Sequence, residues 1–191
     1  MAATPIETIY RGHRFRSRTE ARWAVAFDAY EIQWQYEPEG YRLPSGPYLP
    51  DFWLPQVSMF AEVKGKCFAD SEVWLCHELA QATGHPCLLL EGPPDLAAYW
   101  AVEPHDSSDS SYEWNFALGD GRAVQGMDYT PFSCEAYHLD EDRFFSCCGV
   151  ESPFPRPNRL GANQGVDIAP VTAARRARFE HHERDAMAEV R

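Results

Sequence analysis

Three side chains in the first half of the chain combine types and spacing that suit hydrolysis of a phosphate ester: Asp51, Glu62 and Lys64. They lie in two apolar runs, Leu49-Pro-Asp-Phe-Trp-Leu and Met59-Phe-Ala-Glu-Val-Lys-Gly, separated by a tight connection at Pro55–Ser58. If Pro55 and Ser58 face each other across that turn, Asp51 falls opposite Glu62 and Trp53 opposite Phe60. Residues two apart on a strand share a face, so Lys64 points the same way as Glu62. Two carboxylates and an ammonium then converge at one end of a hairpin. Carboxylates so close resist joint ionisation, and a divalent cation removes that difficulty. Oxygen-only ligation with remaining water suits Mg²⁺ or Mn²⁺, which can activate water and offset charge on a phosphate. The competing reading is an exposed cross-strand cluster in which Lys64 merely balances Glu62. The large apolar neighbours argue against it, because charged groups in apolar clefts tend to be functional.

The elements that must position these groups follow from periodicity and punctuation. Residues 7–16 form a short extended arm with a turn at Gly12. A helix starts at Ser17 and runs to about Tyr30. Strands are expected at Gln33–Glu37, Tyr48–Leu54 and Met59–Val63, with a turn-rich stretch over Pro38–Pro47. A helix over Glu72–Thr83 is stopped by Gly84 and Pro86. Cys87–Leu90 reads as a strand buried on both faces. Asp95 caps a short helix through Trp100. Aromatic-rich pieces with turn signals suggest a small β-rich appendage over 101–155. A Pro-containing linker and a terminal helix over Ala169–Val190 complete the chain at 156–191.

Pro50-Asp51, ten intervening residues and Glu62-Val63-Lys64, set in the order helix, three strands, helix, strand, resemble the PD-(D/E)XK, or restriction-endonuclease-like, nuclease superfamily. The resemblance covers about residues 8–100 and makes residues 1–100 the expected nuclease core of an α/β fold. It implies that Asp51 and Glu62 ligate the metal together with the backbone carbonyl of Val63, and that Lys64 is the catalytic lysine. Family members often carry a further glutamate on the first helix. Glu20 matches, since it precedes Trp23, Ala24 and Phe27 by three, four and seven residues on the apolar stripe. It is expected to be catalytic and to complete the metal site. Ser17-Arg-Thr-Glu20 is equally a capping box, with Glu20 bonded back to the Ser17 amide. Some family members also place a glutamine where Gln81 stands, but ordinary helix surface explains Gln81 better.

Charge distribution says where a nucleic acid could approach. The net charge is −12. Residues 1–66 sum to zero, 67–155 to −14 and 156–191 to +2. Arg11, Arg14, Arg16, Arg18 and Arg22 are the densest basic stretch and the expected DNA contacts; the bland alternative is a solvated face paired with the acidic middle. His13, within that stretch, is more simply a packing histidine. Chance placement of Lys64 is improbable, as lysine occurs only at 64 and 66 against fifteen arginines.

The six cysteines suggest free thiols rather than a disulfide framework. Cys134, His138, Cys147 and Cys148 fit no common zinc spacing, so structural zinc is not expected. Asp140-Glu141-Asp142 is most simply a solvated acidic turn. The first residues lack a signal-peptide pattern and no apolar run would span a bilayer, which leads to the expectation of a cytoplasmic protein. These readings converge on a Mg²⁺-dependent endonuclease that hydrolyses DNA in repair, recombination, mobile-element or phage DNA processing. The alternative is a non-catalytic binding protein on a nuclease fold whose acidic middle docks a basic partner; a homodimer is open.

Overall fold

The computed structural model describes residues 6–95, 99–104, 114–117, 123–129, 139–140, 143–144 and 169–179. It is a mixed α/β structure. The chain opens with a hairpin of β1 (Thr8–Tyr10) and β2 (His13–Phe15). Arg11 and Gly12 turn it with φ of 47° and 80°. Both are left-handed values, as a two-residue hairpin turn of primed type requires.

Helix α1 (Arg18–Ala29) follows. Ser17 caps it, its Oγ accepting from the Glu20 N–H at 3.2 Å. Trp23, Ala24 and Phe27 are buried on one stripe. Ser17→Ala should therefore cost about 1 kcal/mol, the usual worth of such a cap; urea denaturation that shows no loss would mean that the Glu20 hydrogen bonds alone fix this helix start.

Next come β3 (Gln35–Tyr36), the hairpin β4 (Tyr41–Leu43) and β5 (Gly46–Tyr48), then β6 (Phe52–Leu54) and β7 (Met59–Lys64). Helix α2 (Asp70–Thr83) ends at Gly84, which adopts φ 73° as a left-handed C-cap. β8 (Cys87–Glu91) and β9 (Tyr99–Val102) follow, then β10 (Trp114–Ala117), β11 (Ala123–Tyr129), the ribbon β12 (Leu139–Asp140) and β13 (Arg143–Phe144), and α3 (Ala169–Arg176).

The main sheet runs β10-β11-β9-β8-β7-β6-β3. Among the described residues only β7 and β8 pair in parallel, with α2 as the crossover between them. One face of the sheet carries Phe52, Leu54, Ala61, Val63, Leu88 and Leu90 against Trp23 and Phe27 of α1. The other carries Phe60, Cys87, Leu89 and Val102 against Val73, Cys76 and Leu79 of α2. Strand alternation assigns each residue to its layer. α3 adds Ala174 to the α1 side. Among the described residues no helix is long and apolar enough to cross a membrane.

The structure departs from the sequence expectations at several places. Tyr48–Leu54 is not one strand: β5 ends at Tyr48 and β6 begins at Phe52. Pro50 has no N–H for a ladder, so the chain bends there. The strand expected at Gln33–Glu37 narrows to Gln35–Tyr36, and Glu37 turns away with φ 45°. Tyr99 and Trp100 are strand rather than helix, since Tyr-Trp-Ala-Val pairs with β8, Leu88 opposite Ala101, and buries Ala101 and Val102. Finally, β9 straddles residue 100, and β11 and β10 continue the core sheet from it rather than building a separate appendage sheet. The terminal helix expected over Ala169–Val190 ends at Arg176, and residues 177–179 are not helical; residues 180–190 lie outside the described residues, as do Cys134, His138, Glu141, Asp142, Cys147 and Cys148.

Candidate active site

The bend at Pro50 brings Asp51 to the start of β6, beside the end of β7. The pairs Phe52–Ala61, Trp53–Phe60 and Leu54–Met59 set the register expected from the turn. Asp51 and Glu62 come together at its open end, where the Asp51 N–H donates to Glu62 Oε2 at 3.3 Å. Asp51 Oδ2 accepts from the Val63 N–H at 2.8 Å. The two carboxylates are only 2 % and 4 % exposed. Lys64 Nζ lies 3.0 Å from Glu62 Oε1 and 3.3 Å from Glu72 Oε1.

Glu20, 6 % exposed, joins from the first turn of α1. Its Oε2 accepts from the Tyr36 hydroxyl at 2.7 Å and from the Arg16 N–H at 3.1 Å. The capping box is thus only half formed. Ser17 caps the Glu20 amide, but the Glu20 carboxylate reaches past Ser17 to Arg16 and across to Tyr36. Arg16 ties Glu20 to the pair: its guanidinium lies 2.5 Å from Asp51 Oδ1 and 2.9 Å from Glu37 Oε1.

Burial, and then repulsion from Glu62 and Glu20, hold the Asp51 carboxyl well above the ordinary carboxylate range, against the Val63 N–H and Arg16. Burial alone would lower Lys64, but Glu62, Glu72 and Asp51 outweigh it and hold the ammonium above the usual lysine range. Lys64 is therefore a fixed positive charge and donor at neutral pH, unsuited to act as a base. Burial and the bond to Glu20 raise the Tyr36 phenol, which stays a proton donor.

Among the described residues no three His, Cys, Asp or Glu side chains form a ready protein cage for a metal. The Asp51–Glu62 pair nonetheless fits a hard cation of the Mg²⁺ class. Such an ion takes one or two carboxylates and keeps several waters. Two buried, mutually repelling carboxylates are also a donor set that a divalent charge relieves.

The five N-terminal arginines divide. Arg11 pairs with Asp28 at 3.1 Å and Arg14 with Glu7. Both guanidiniums are largely exposed, so these pairs are worth little. Arg16 belongs to the carboxylate cluster, while Arg18 and Arg22 line a cleft facing α3. His13 packs on Trp34, with ring centroids 5.0 Å apart. Gln81 is exposed and lies more than two helical turns beyond Glu72 on α2, away from Lys64. The cluster also contains three residues that sequence reasoning misses: Tyr36, Glu37 and Glu72. Glu72 alone leaves a local signal, as a first-turn acid whose Oε2 accepts from the Ala69 N–H at 2.9 Å. No family model, curated protein or solved structure matches the chain.

Proposed function

We propose that the protein is a metal-dependent nuclease of the PD-(D/E)XK kind, hydrolysing DNA phosphodiester bonds at Asp51, Glu62 and Lys64. One observation carries the reading: two almost fully buried carboxylates meet at the open end of a hairpin, with a protonated lysine on one of them. Arg16 and Lys64 offset part of this charge, yet two like charges buried side by side remain costly for a purely structural role. A bound divalent cation would activate water and offset charge on the phosphate. Asp51 and Glu62 would hold it, with the Val63 carbonyl and Glu20 as further ligands by resemblance.

The chain's own groups then divide the work. Lys64 Nζ, fixed between Glu62 and Glu72, orients the attacking water and stabilises negative charge developing on the phosphate. Tyr36 and the Arg16 amide fix the Glu20 carboxylate. The half-exposed Arg16 guanidinium borders solvent beside Asp51, where it can meet a phosphate of the incoming strand.

The test is cleavage of a panel of linear, nicked, single-stranded, flapped and branched DNA by the purified full chain, with Mg²⁺ or Mn²⁺ and with a chelator. Cleavage of at least one substrate that the chelator stops is expected. No cleavage of any of them, or cleavage that persists under chelation, overturns the proposal.

A further inference from the structure

α1 and α3 enclose a cleft of about 660 Å³ lined by Arg18, Arg22, Arg175, Arg176, Arg178 and Phe179. Five of the chain's fifteen arginines meet there, and no carboxylate lines the cleft among the described residues. α3 and the residues after it, 177–179, are anchored from several directions. Ala174 is buried, Arg175 Nε donates to the Pro94 carbonyl at 2.7 Å, and Phe179 packs edge-on against Tyr10 at 6.2 Å. Asp95 lies 3.8 Å from Arg175, at the long end of an ion pair. The Nε of Arg22 is shielded from solvent and has no acceptor among the described residues. A shielded guanidinium donor in a cleft of like charges calls for an anionic acceptor.

We infer that this cleft is a second nucleic-acid site, holding the phosphodiester backbone of a strand outside the carboxylate cluster. On a helix, residues 18 and 22 lie about 160–200° around the axis from residue 20, so the cleft and Glu20 occupy opposite sides of α1. The occupant's chemistry follows from charge. A single phosphate group offers one set of oxygens, whereas a run of phosphodiesters supplies one charge per nucleotide and can meet Arg22, Arg176 and Arg178 together, with Arg175 already near Asp95. Arginine forks match phosphate oxygens bidentately. Phe179, partly buried against Tyr10, is the aromatic residue lining the cleft beside these arginines. The net charge of −12 gives no general attraction for nucleic acid, so binding must come from such a local concentration.

Occupation of this cleft does not depend on the catalytic proposal, so the test uses binding without cleavage. Full-length Glu62→Gln protein, without divalent cation, is titrated against a labelled single-stranded oligonucleotide by fluorescence anisotropy over a range of salt. Adding Arg22→Gln, Arg176→Gln and Arg178→Gln should weaken binding about tenfold or more, and flatten the dependence of log K on log salt by about 0.7 for each phosphate no longer neutralised. The exposed pair Arg176→Gln and Arg178→Gln alone should move both readouts the same way, which covers a folding defect from Arg22. Unchanged binding and slope in both variants overturn the inference even if the wild-type protein cleaves DNA. Full displacement of the oligonucleotide by inorganic pyrophosphate, or arginine-dependent binding to anionic phospholipid vesicles but not to the oligonucleotide, would also overturn it. Arginine-dependent oligonucleotide binding by a protein that cuts nothing leaves it intact and removes only the nuclease reading.

Discussion

Lys64→Ala should lower metal-dependent DNA cleavage about a thousandfold, with the fold retained, since removal of one preorganised donor at developing charge typically costs 10²–10³-fold. Lys64 Nζ is the positive charge the chain itself contributes next to Glu62. Glu62, Glu72 and Asp51 favour its ammonium form, which suits a role as a cation and hydrogen-bond donor. The side chain is 31 % exposed, so truncation opens no sealed core cavity. Lys64→Arg sharpens the result. It keeps a cation for Glu62 and Glu72 but replaces a compact ammonium with a planar fork, and should restore stability without restoring most of the rate. Asp51→Ala and Glu62→Ala should abolish cleavage as well. Asp51→Ala also strands the Val63 N–H and leaves Arg16 with Glu37 alone, so its loss of activity must be judged beside its melting curve. If Lys64→Ala cleaves like wild type, the chemistry belongs to another site.

How much of this site is legible in the sequence depends on how local each interaction is. The hairpin register follows from one turn at Pro55–Ser58, because a short connection leaves a single pairing that keeps Phe52 and Leu54 inward. Glu20 is legible from helical spacing against Trp23 and Phe27. Its hydrogen bonds are not, because Tyr36 is brought to it only when β3 pairs with β6. Arg16 reads as one of five similar arginines; a reach of 35 residues to Asp51 leaves no periodic trace. Tyr99-Trp-Ala-Val illustrates the opposite failure. Following Asp95 and two alanines, it resembles a capped helix, yet pairing with β8 and β11 outweighs that weak local preference. The arginine cleft is invisible for the same reason as Arg16: its halves lie near opposite ends of the chain, joined only by the packing of α3 on α1.

Mg²⁺ or Mn²⁺ at about a hundred times its dissociation constant should stabilise the protein by about 2.7 kcal/mol, or about 5–11 °C in melting temperature for a chain of this size. The physical source is the repulsion that the folded state imposes on Asp51. In the folded chain its carboxyl is raised by burial, Glu62 and Glu20. Between the ordinary carboxylate pKa and that raised value, the folded state binds more protons than the unfolded one, so stability falls as pH rises and then levels off above the raised pKa. Metal-free protein should therefore melt at lower temperature as pH increases through this window. A divalent cation favours the ionised form, so its stabilising effect should grow over the same window and cancel the decline. Arg16, Lys64 and the Val63 N–H are the opposing groups already in place, and they limit the size of the decline. Glu62→Gln separates this account from general ionic effects. It keeps an acceptor for the Asp51 N–H while removing the nearest like charge, and should flatten the metal-free pH dependence and remove most of the cation's effect. A cation-induced rise that survives Glu62→Gln unchanged would locate the binding elsewhere on this acidic chain and leave the carboxylate pair without a metal.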